Sequence, residues 1–226
     1  NYPFREGCAA DWGFSCLVEC GDLSLVFDTG TRPDLLAQNI EEIGVDPAAV
    51  DLVVISHEHH DHTGGLPALI DGGCRAPVIV CRSFSYGFVR SVESRGLDVL
   101  TVSEPAILAD GLYLTGEMGR GIREQALVID TGSSVHVVVG CSHPGIVEIL
   151  ERVATVFDAP IDLVIGGMHL MDRRDEEIDE IAGRLESLGV RRISATHCTG
   201  ERQIERLRRR FGERFVEAGV GRVIAP

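Results

Sequence analysis

The chain has 226 residues, 44% of them hydrophobic, and a formal net charge of −14; this supplies a full apolar core for one large domain or two tightly joined halves. All 21 basic residues are arginine, which excludes lysine Schiff-base chemistry and Walker-type nucleotide binding. The acidic balance argues against a nucleic-acid partner, whose phosphates need a basic face. No apolar run reaches membrane-spanning length and no signal peptide is visible, so no membrane partner is expected. Seven cysteines without framework spacing fit a reducing cytoplasm, and a cytoplasmic location is expected. The chain opens at Asn1 rather than Met, so a short leading piece is expected before it.

Phe14 to Glu19 and Leu23 to Phe27 are β-rich runs separated by Cys20-Gly21-Asp22, a hairpin by its turn chemistry. Cys16 and Cys20 share a strand face and read as core residues. The second run stops at Asp28-Thr29-Gly30. Asp34 to Ile43 places Leu35, Leu36, Ile40 and Ile43 at helical spacing, with Gly44 as the stop. Leu52 to Ile55 reads as a buried strand ending at Ser56, Gly64 to Ile70 as a short helix, Pro77 to Cys81 as a strand, Phe84 to Ser94 as a helix and Val99 to Val102 as a strand.

The second half repeats the scheme. Gln125 to Ile129 and Val135 to Val139 form a hairpin across Asp130-Thr131-Gly132-Ser133-Ser134, and the second strand ends in Gly140-Cys141-Ser142-His143-Pro144-Gly145. Helix Ile146 to Phe157 follows. Strand Ile161 to Ile165 runs into Gly166-Gly167-Met168-His169, and helix Asp175 to Leu188 opens on acidic residues that suit the positive end of its dipole. Strand Arg192 to Ala195 runs into Thr196-His197-Cys198-Thr199-Gly200. The basic cluster Arg202, Arg206, Arg208, Arg209 and Arg210, interleaved with Glu201 and Glu205, reads as a solvated helix face.

Within this frame Ser56-His57-Glu58-His59-His60-Asp61-His62-Thr63-Gly64-Gly65 stands out, with four histidines and an aspartate in six residues directly after a core strand. Imidazole and carboxylate are ligands that zinc, iron and manganese accept. In an extended segment His57 and His59 share a side, and Asp61 and His62, past the bend, face a second position. The helical His-Glu-x-x-His motif of zinc proteases fails, because the residue four after His57 is Asp61 and four after His59 is Thr63. His143, His169 and His197 each follow a short apolar strand beside small residues, and three such placements point to a shared site. His136 differs: it lies inside a strand between valines and is expected to face solvent or an overlying helix.

The sequence resembles the metallo-β-lactamase superfamily, whose mark, His-x-His-x-Asp-His after a strand, is matched by His57, His59, Asp61 and His62. Within it the closer resemblance is to the branch of metal-dependent hydrolases that in archaea includes a dihydropterin-ribofuranosyl-aminobenzene phosphate synthase. The features shared with that branch are Phe27 to Gly30, Asn39, Ser56 to Gly65, Glu124 to Leu127, Gly140 to Gly145, Gly166 to Leu170 and His197 to Gly200. The resemblance implies an α/β fold, an αββα sandwich of two mixed β-sheets flanked by helices, spanning residues 1–226 as a single domain of two similar halves. One departure is visible. Superfamily members usually carry another metal-binding histidine opening the second-half hairpin and a metal-bridging aspartate at its end; here Glu124 stands near the first position, and Cys141 with His143 near the second.

The expected function is a metal-dependent hydrolase that uses a metal-bound hydroxide on an ester, phosphoester or lactone-type small molecule, with a phosphorylated substrate among the options. His57, His59 and His143 would hold one cation, and Asp61, His62 and His197 a second. The cofactor is one or two divalent metal ions, zinc first, with manganese and iron as alternatives. Asp61 and His169 are the catalytic candidates, the first orienting the nucleophile and the second touching substrate or moving a proton. Asp28 is expected to support a ligand histidine, and Cys141, water or nothing bridges the metals. Two alternatives keep the fold: a synthase-like transferase and a metal-loaded redox or binding module. An aspartic-protease pairing of Asp28-Thr29-Gly30 with Asp130-Thr131-Gly132 is set aside, since one triplet ends a strand and the other falls in a hairpin turn.

Overall fold

The computed structural model describes residues 2–225, which form two compact units. The first runs to Ser103 and takes back Gly219–Val223; the second runs from Glu104 to Ala218. Each unit has its own mixed sheet flanked by helices. Among the described residues no helix is long and apolar enough to cross a membrane.

The first sheet holds β1 (Cys16–Cys20), β2 (Leu23–Phe27), β3 (Leu52–Val54), β4 (Val78–Cys81) and β5 (Val99–Val102) in sequential order. β1 and β2 form the expected hairpin, with Cys20 opposite Leu23, and every later neighbour is parallel. The helices are α1 (Pro33–Ile43), α2 (His60–Thr63), α3 (Leu66–Asp71) and α4 (Tyr86–Glu93). α1 starts one residue before the spacing indicates, because Pro33 occupies a first-turn position whose N–H needs no partner. It stops where expected, at Gly44 in the left-handed region. Val53, Ile55, Val78 and Val80 pack with Leu66, Leu69 and Val92 into one buried core.

The helix expected over Gly64 to Ile70 is α3, which starts two residues later at Leu66, and a further short helix, α2, precedes it inside the histidine cluster. The His59 carbonyl accepts the N–H groups of His62 and Thr63 and so winds the first turn. Gly64 and Gly65 then pass hard against the turn after β2. A Cβ on Gly65 would stand 1.9 Å from the Thr29 carbonyl oxygen, and one on Gly64 2.0 Å from that of Thr31.

The second sheet has the order β11-β10-β9-β8-β7-β6, from β6 (Ala106–Ala109), β7 (Leu112–Leu114), β8 (Leu127–Asp130), β9 (Val135–Val139), β10 (Ile161–Gly167) and β11 (Arg192–Thr196). β6 to β9 are antiparallel, and β9, β10 and β11 run parallel. β6 and β7 escape the sequence reading because they are short, and β6 is partly exposed, Ile107 being 73% exposed, while β7 buries Leu112 and Leu114. α5 (Ile146–Val156), α6 (Asp175–Ser187) and α7 (Glu201–Phe211) complete the unit, burying Ile149, Leu150, Ile178, Leu185, Leu207 and Phe211 with the valines of β9. The Glu177 carboxylate accepts the Arg174 N–H at 3.0 Å and closes the start of α6. The arginine cluster is spent on ion pairs, Arg206 with Asp175 and Asp179, and Arg210 with Glu186. Such exposed pairs contribute at most about 1 kcal/mol each, so the buried face of α7 holds it in place.

His136 does not face solvent. It is 5% exposed, with Nδ1 3.8 Å from an Asp162 carboxylate oxygen, and burial lowers its pKa, with Asp162 opposing. Val138, on the same strand face, is buried too, so both faces of β9 are covered.

In each sheet the polar turns gather at the carboxyl ends of parallel strands. Phe27 pairs with Val54, which sets Asp28 beside Ser56. Val139 and Gly166 pair, as do Gly167 and Thr196, which sets the turns after β9, β10 and β11 abreast. Ligand sites of open parallel sheets form at such ends.

The close approaches give a stability test. Gly65→Ala and Gly166→Ala each drive a Cβ to 1.9 Å from a carbonyl oxygen, and each should cost at least about 2 kcal/mol in denaturant unfolding. Gly183→Ala, inside α6 with nothing within 4 Å, should add about 0.5–1 kcal/mol. Equal, small effects at all three would refute the packing account.

Candidate metal centre

In the first unit one buried carboxylate organises the histidine cluster. Asp28 ends β2 in the left-handed region, φ 60, and is fully buried. Its Oδ1 accepts the Ser56 N–H at 2.7 Å. Its Oδ2 accepts the Ser56 hydroxyl at 2.7 Å and faces His62 Nδ1 at 2.7 Å. A carboxylate only accepts, so His62 donates from Nδ1 and carries its lone pair on Nε2. The Ser56 hydroxyl uses its one hydrogen in the bond to Asp28, so at 2.9 Å from His57 Nδ1 it accepts, and His57 is held in the same tautomer. The Thr29 N–H and hydroxyl both donate to the His62 carbonyl, at 2.8 and 2.9 Å, which anchors the loop from behind.

The lone-pair nitrogens of the fixed imidazoles point at other donors. His57 Nε2 lies 3.1 Å from His59 Nδ1, close to the ~3.3 Å between two nitrogens sharing a tetrahedral zinc with 2.0–2.1 Å bonds. His62 Nε2 lies 3.7 Å from an Asp61 carboxylate oxygen, and the His57 and His62 rings are 4.1 Å apart. The donor set and the locked tautomers fit a divalent cation. His60 opens α2 with an exposed side chain.

In the second unit Glu124 does for the turn after β9 what Asp28 does for the turn after β3. It is 1% exposed. Its Oε1 accepts the N–H groups of Gly140, Cys141 and Ser142 at 3.1, 2.9 and 2.9 Å, and its Oε2 that of His143 at 2.8 Å. Ser142 takes a left-handed φ of 60, and its hydroxyl donates to the Gly167 carbonyl at 2.7 Å. The turn thus presents Cys141 and His143, whose donor atoms lie within 4.8 Å of each other and of His169. Cys141 Sγ is as close to a ring nitrogen of His197. His169 and His197 also hold left-handed backbone, φ 50 and 53.

The roles of two residues of this cluster, Cys198 and Glu124, escape the sequence reading. Cys198 is buried and its thiol donates to the Cys141 carbonyl at 3.5 Å. Its pKa is pulled down to about 5, by a hydrogen bond from Cys141 first and against burial, with His169 adding a further hydrogen bond. The same contact raises the pKa of His169, burial opposing. Cys16, by contrast, is pushed up to about 12 by burial, with Asp28 adding to the rise. Glu124 was placed near a ligand position by resemblance, yet nothing in its sequence context announces four backbone partners. Asp130 is no partner to Asp28 in function: its carboxylate accepts the Gly132 N–H of its own hairpin turn.

Comparisons with known proteins place the fold. A 7,8-dihydropterin-6-methyl-4-(beta-D-ribofuranosyl)-aminobenzene-5'-phosphate synthase of Methanocaldococcus jannaschii is 24% identical over 99% of this chain and 92% of its own length. The solved structure of Tm1679, a metal-dependent hydrolase of the β-lactamase superfamily, superposes with a TM-score of 0.82 at 28% identity, covering 96% of this chain and 93% of that one. YhfI of Bacillus subtilis, a metallo-β-lactamase fold protein, shares the fold with a TM-score of 0.73 at 18% identity, over 98% of this chain and 92% of its own. Two mixed sheets flanked by helices are the fold of these proteins, and residues 13–147 match the family directly: the chain belongs to the metallo-β-lactamase superfamily.

Proposed function

We propose that the protein is a metal-dependent hydrolase of small molecules, with His57, His59, Asp61 and His62 of the first unit and His143 and His197 of the second as its metal ligands. The observation that carries this reading is the Asp28–Ser56 network, which commits His57 and His62 to one tautomer and aims their Nε2 lone pairs at further donors. A buried carboxylate that orients imidazoles in this way is the usual support of a metal ligand. Zinc suits the nitrogen-rich set, with manganese and iron as alternatives.

A cation held there supplies Lewis acidity toward water and toward a substrate oxygen. The chain supplies the rest. Asp28 keeps the ligand rings from rotating. Asp61, one-fifth exposed beside His62, is placed to orient water and accept a proton at its carboxylate. His169, exposed and raised in pKa by its Cys198 contact first, is placed to deliver a proton or meet substrate. The substrate class in this reading is an ester, phosphoester or lactone, with no nucleic-acid or membrane partner. A second reading, a synthase-like transferase on the same fold, is favoured by the Methanocaldococcus jannaschii relative, which is matched over nearly its whole length. Turnover of phosphodiester and lactone panels with added zinc or manganese would support hydrolysis. Activity only when two substrates are joined would replace it with the transferase.

Two predictions follow from the donor set. Protein grown in metal-replete medium should carry one or two transition-metal ions per chain, and chelator should lower its melting temperature by about 5–10 °C, since a cation bound only by the folded state adds to its stability. Elemental analysis showing no metal would overturn the reading.

Alanine at His57, His59, His62, His143 or His197 should cause a large loss of turnover and of metal affinity, whereas at His60 or His136 metal content should stay near wild type. His169→Ala should keep metal and slow turnover. Asp28→Asn should lower metal affinity about 10- to 100-fold while every ligand remains, measured by competition with a chromophoric chelator. Full metal in His143→Ala, or loss in His136→Ala, would rule out this ligand assignment.

A further inference from the structure

We propose that Glu124 is a positioning residue for the metal ligands of the second unit. It acts through the backbone of the Gly140–His143 turn and not as a ligand itself. The proposal rests on the metal-binding reading above and deepens it.

Four consecutive N–H groups, from Gly140 to His143, converge on the two oxygens of this one buried carboxylate. Turning successive N–H groups toward one point requires an unusual backbone, and Ser142 supplies it with its left-handed φ. A non-glycine residue there is strained, and the carboxylate offsets the strain by satisfying donors that are buried with it. The two oxygens divide the work. Oε1 holds Gly140, Cys141 and Ser142, while Oε2 alone holds His143, at the shortest of the four distances, 2.8 Å. The consequence falls on the side chains: with the turn held, Cys141 Sγ and a His143 ring nitrogen lie within 4.8 Å of each other and of His169. The His143 and His169 rings stand 4.4 Å apart.

Glu124→Gln separates this role from bulk. A glutamine amide oxygen can keep the three Oε1 bonds, but its NH2 then confronts the His143 N–H, donor against donor. The expected result is a 10- to 100-fold loss of Zn2+ and Co2+ affinity by chelator competition, and a changed absorption spectrum of the Co2+-loaded protein. The variant is also made in a His143→Ala background. If Glu124 acts through His143, it lowers affinity little further there. Leu185→Ala, in the core of the same unit, controls for general destabilisation: it should lower the melting temperature of metal-free protein while leaving affinity within about twofold. Glu124→Gln with wild-type affinity and spectrum overturns the proposal alone. So does a fully additive loss in the His143→Ala background, or an equal loss in Leu185→Ala. Wild-type protein that binds neither cation overturns the metal-binding reading and this proposal together.

Discussion

A carboxylate taken out of water is tolerated only where hydrogen-bond donors replace its hydration, since the penalty otherwise amounts to several kcal/mol. Among the described residues two side-chain carboxylates are buried, Asp28 and Glu124, and the donors gathered around them are the parts of the chain that carry the histidines. Around Asp28 these are the Ser56 N–H and hydroxyl and the His62 ring; around Glu124 they are four consecutive N–H groups. Satisfying the buried charge and orienting the candidate ligands are one arrangement in each unit. Removing either carboxylate leaves buried donors unsatisfied, which costs more than the lost bonds alone.

The backbone records the same concentration of constraint. Among the described residues the non-glycine positions with left-handed φ are Asp28, Ser142, His169 and His197, and every one lies in a donor turn. Strain of this kind persists only where the surroundings overdetermine it. Here the surroundings are the sheets. Parallel pairing holds Phe27 to Val54 and Gly166 to Val139, so the turns leave their strands side by side. Glycines that admit no Cβ, Gly65 and Gly166, let backbone approach backbone behind the site.

Elsewhere the chain uses its charges differently. Arginines of α7 meet carboxylates of α6 in exposed pairs, each contributing little in water. The apolar faces of those helices, with Ile178, Leu185, Leu207 and Phe211 in the core, supply most of what fixes them, at ~25 cal/mol per Å2 of apolar surface buried. Buried charge thus marks the candidate site, and exposed charge keeps the remaining surface hydrated.

The sequence by itself determines the elements whose signal is local: the hairpin at Gly21-Asp22, α1 with its Gly44 stop, the apolar strands β3, β4, β9 and β10, and the His57, His59, Asp61, His62 spacing with its likeness to a superfamily. It also marks His143, His169 and His197, because each follows a strand end. Tertiary structure alone decides what those signals leave open. It decides that Gly64 and Gly65 separate α2 from α3, because their contact with the turn after β2 is not local. It decides that β6 and β7 pair, which strands of four and three residues do not announce. It decides that His136 is buried, since both faces of its strand are covered, and that Cys198 meets Cys141 across 57 residues. Above all it decides the work of Asp28 and Glu124, whose partners lie up to 34 and 19 residues away. Spacing along a chain reports which side chains share a strand or a helix face, whereas a buried carboxylate's donors are chosen by which strands the sheet sets side by side.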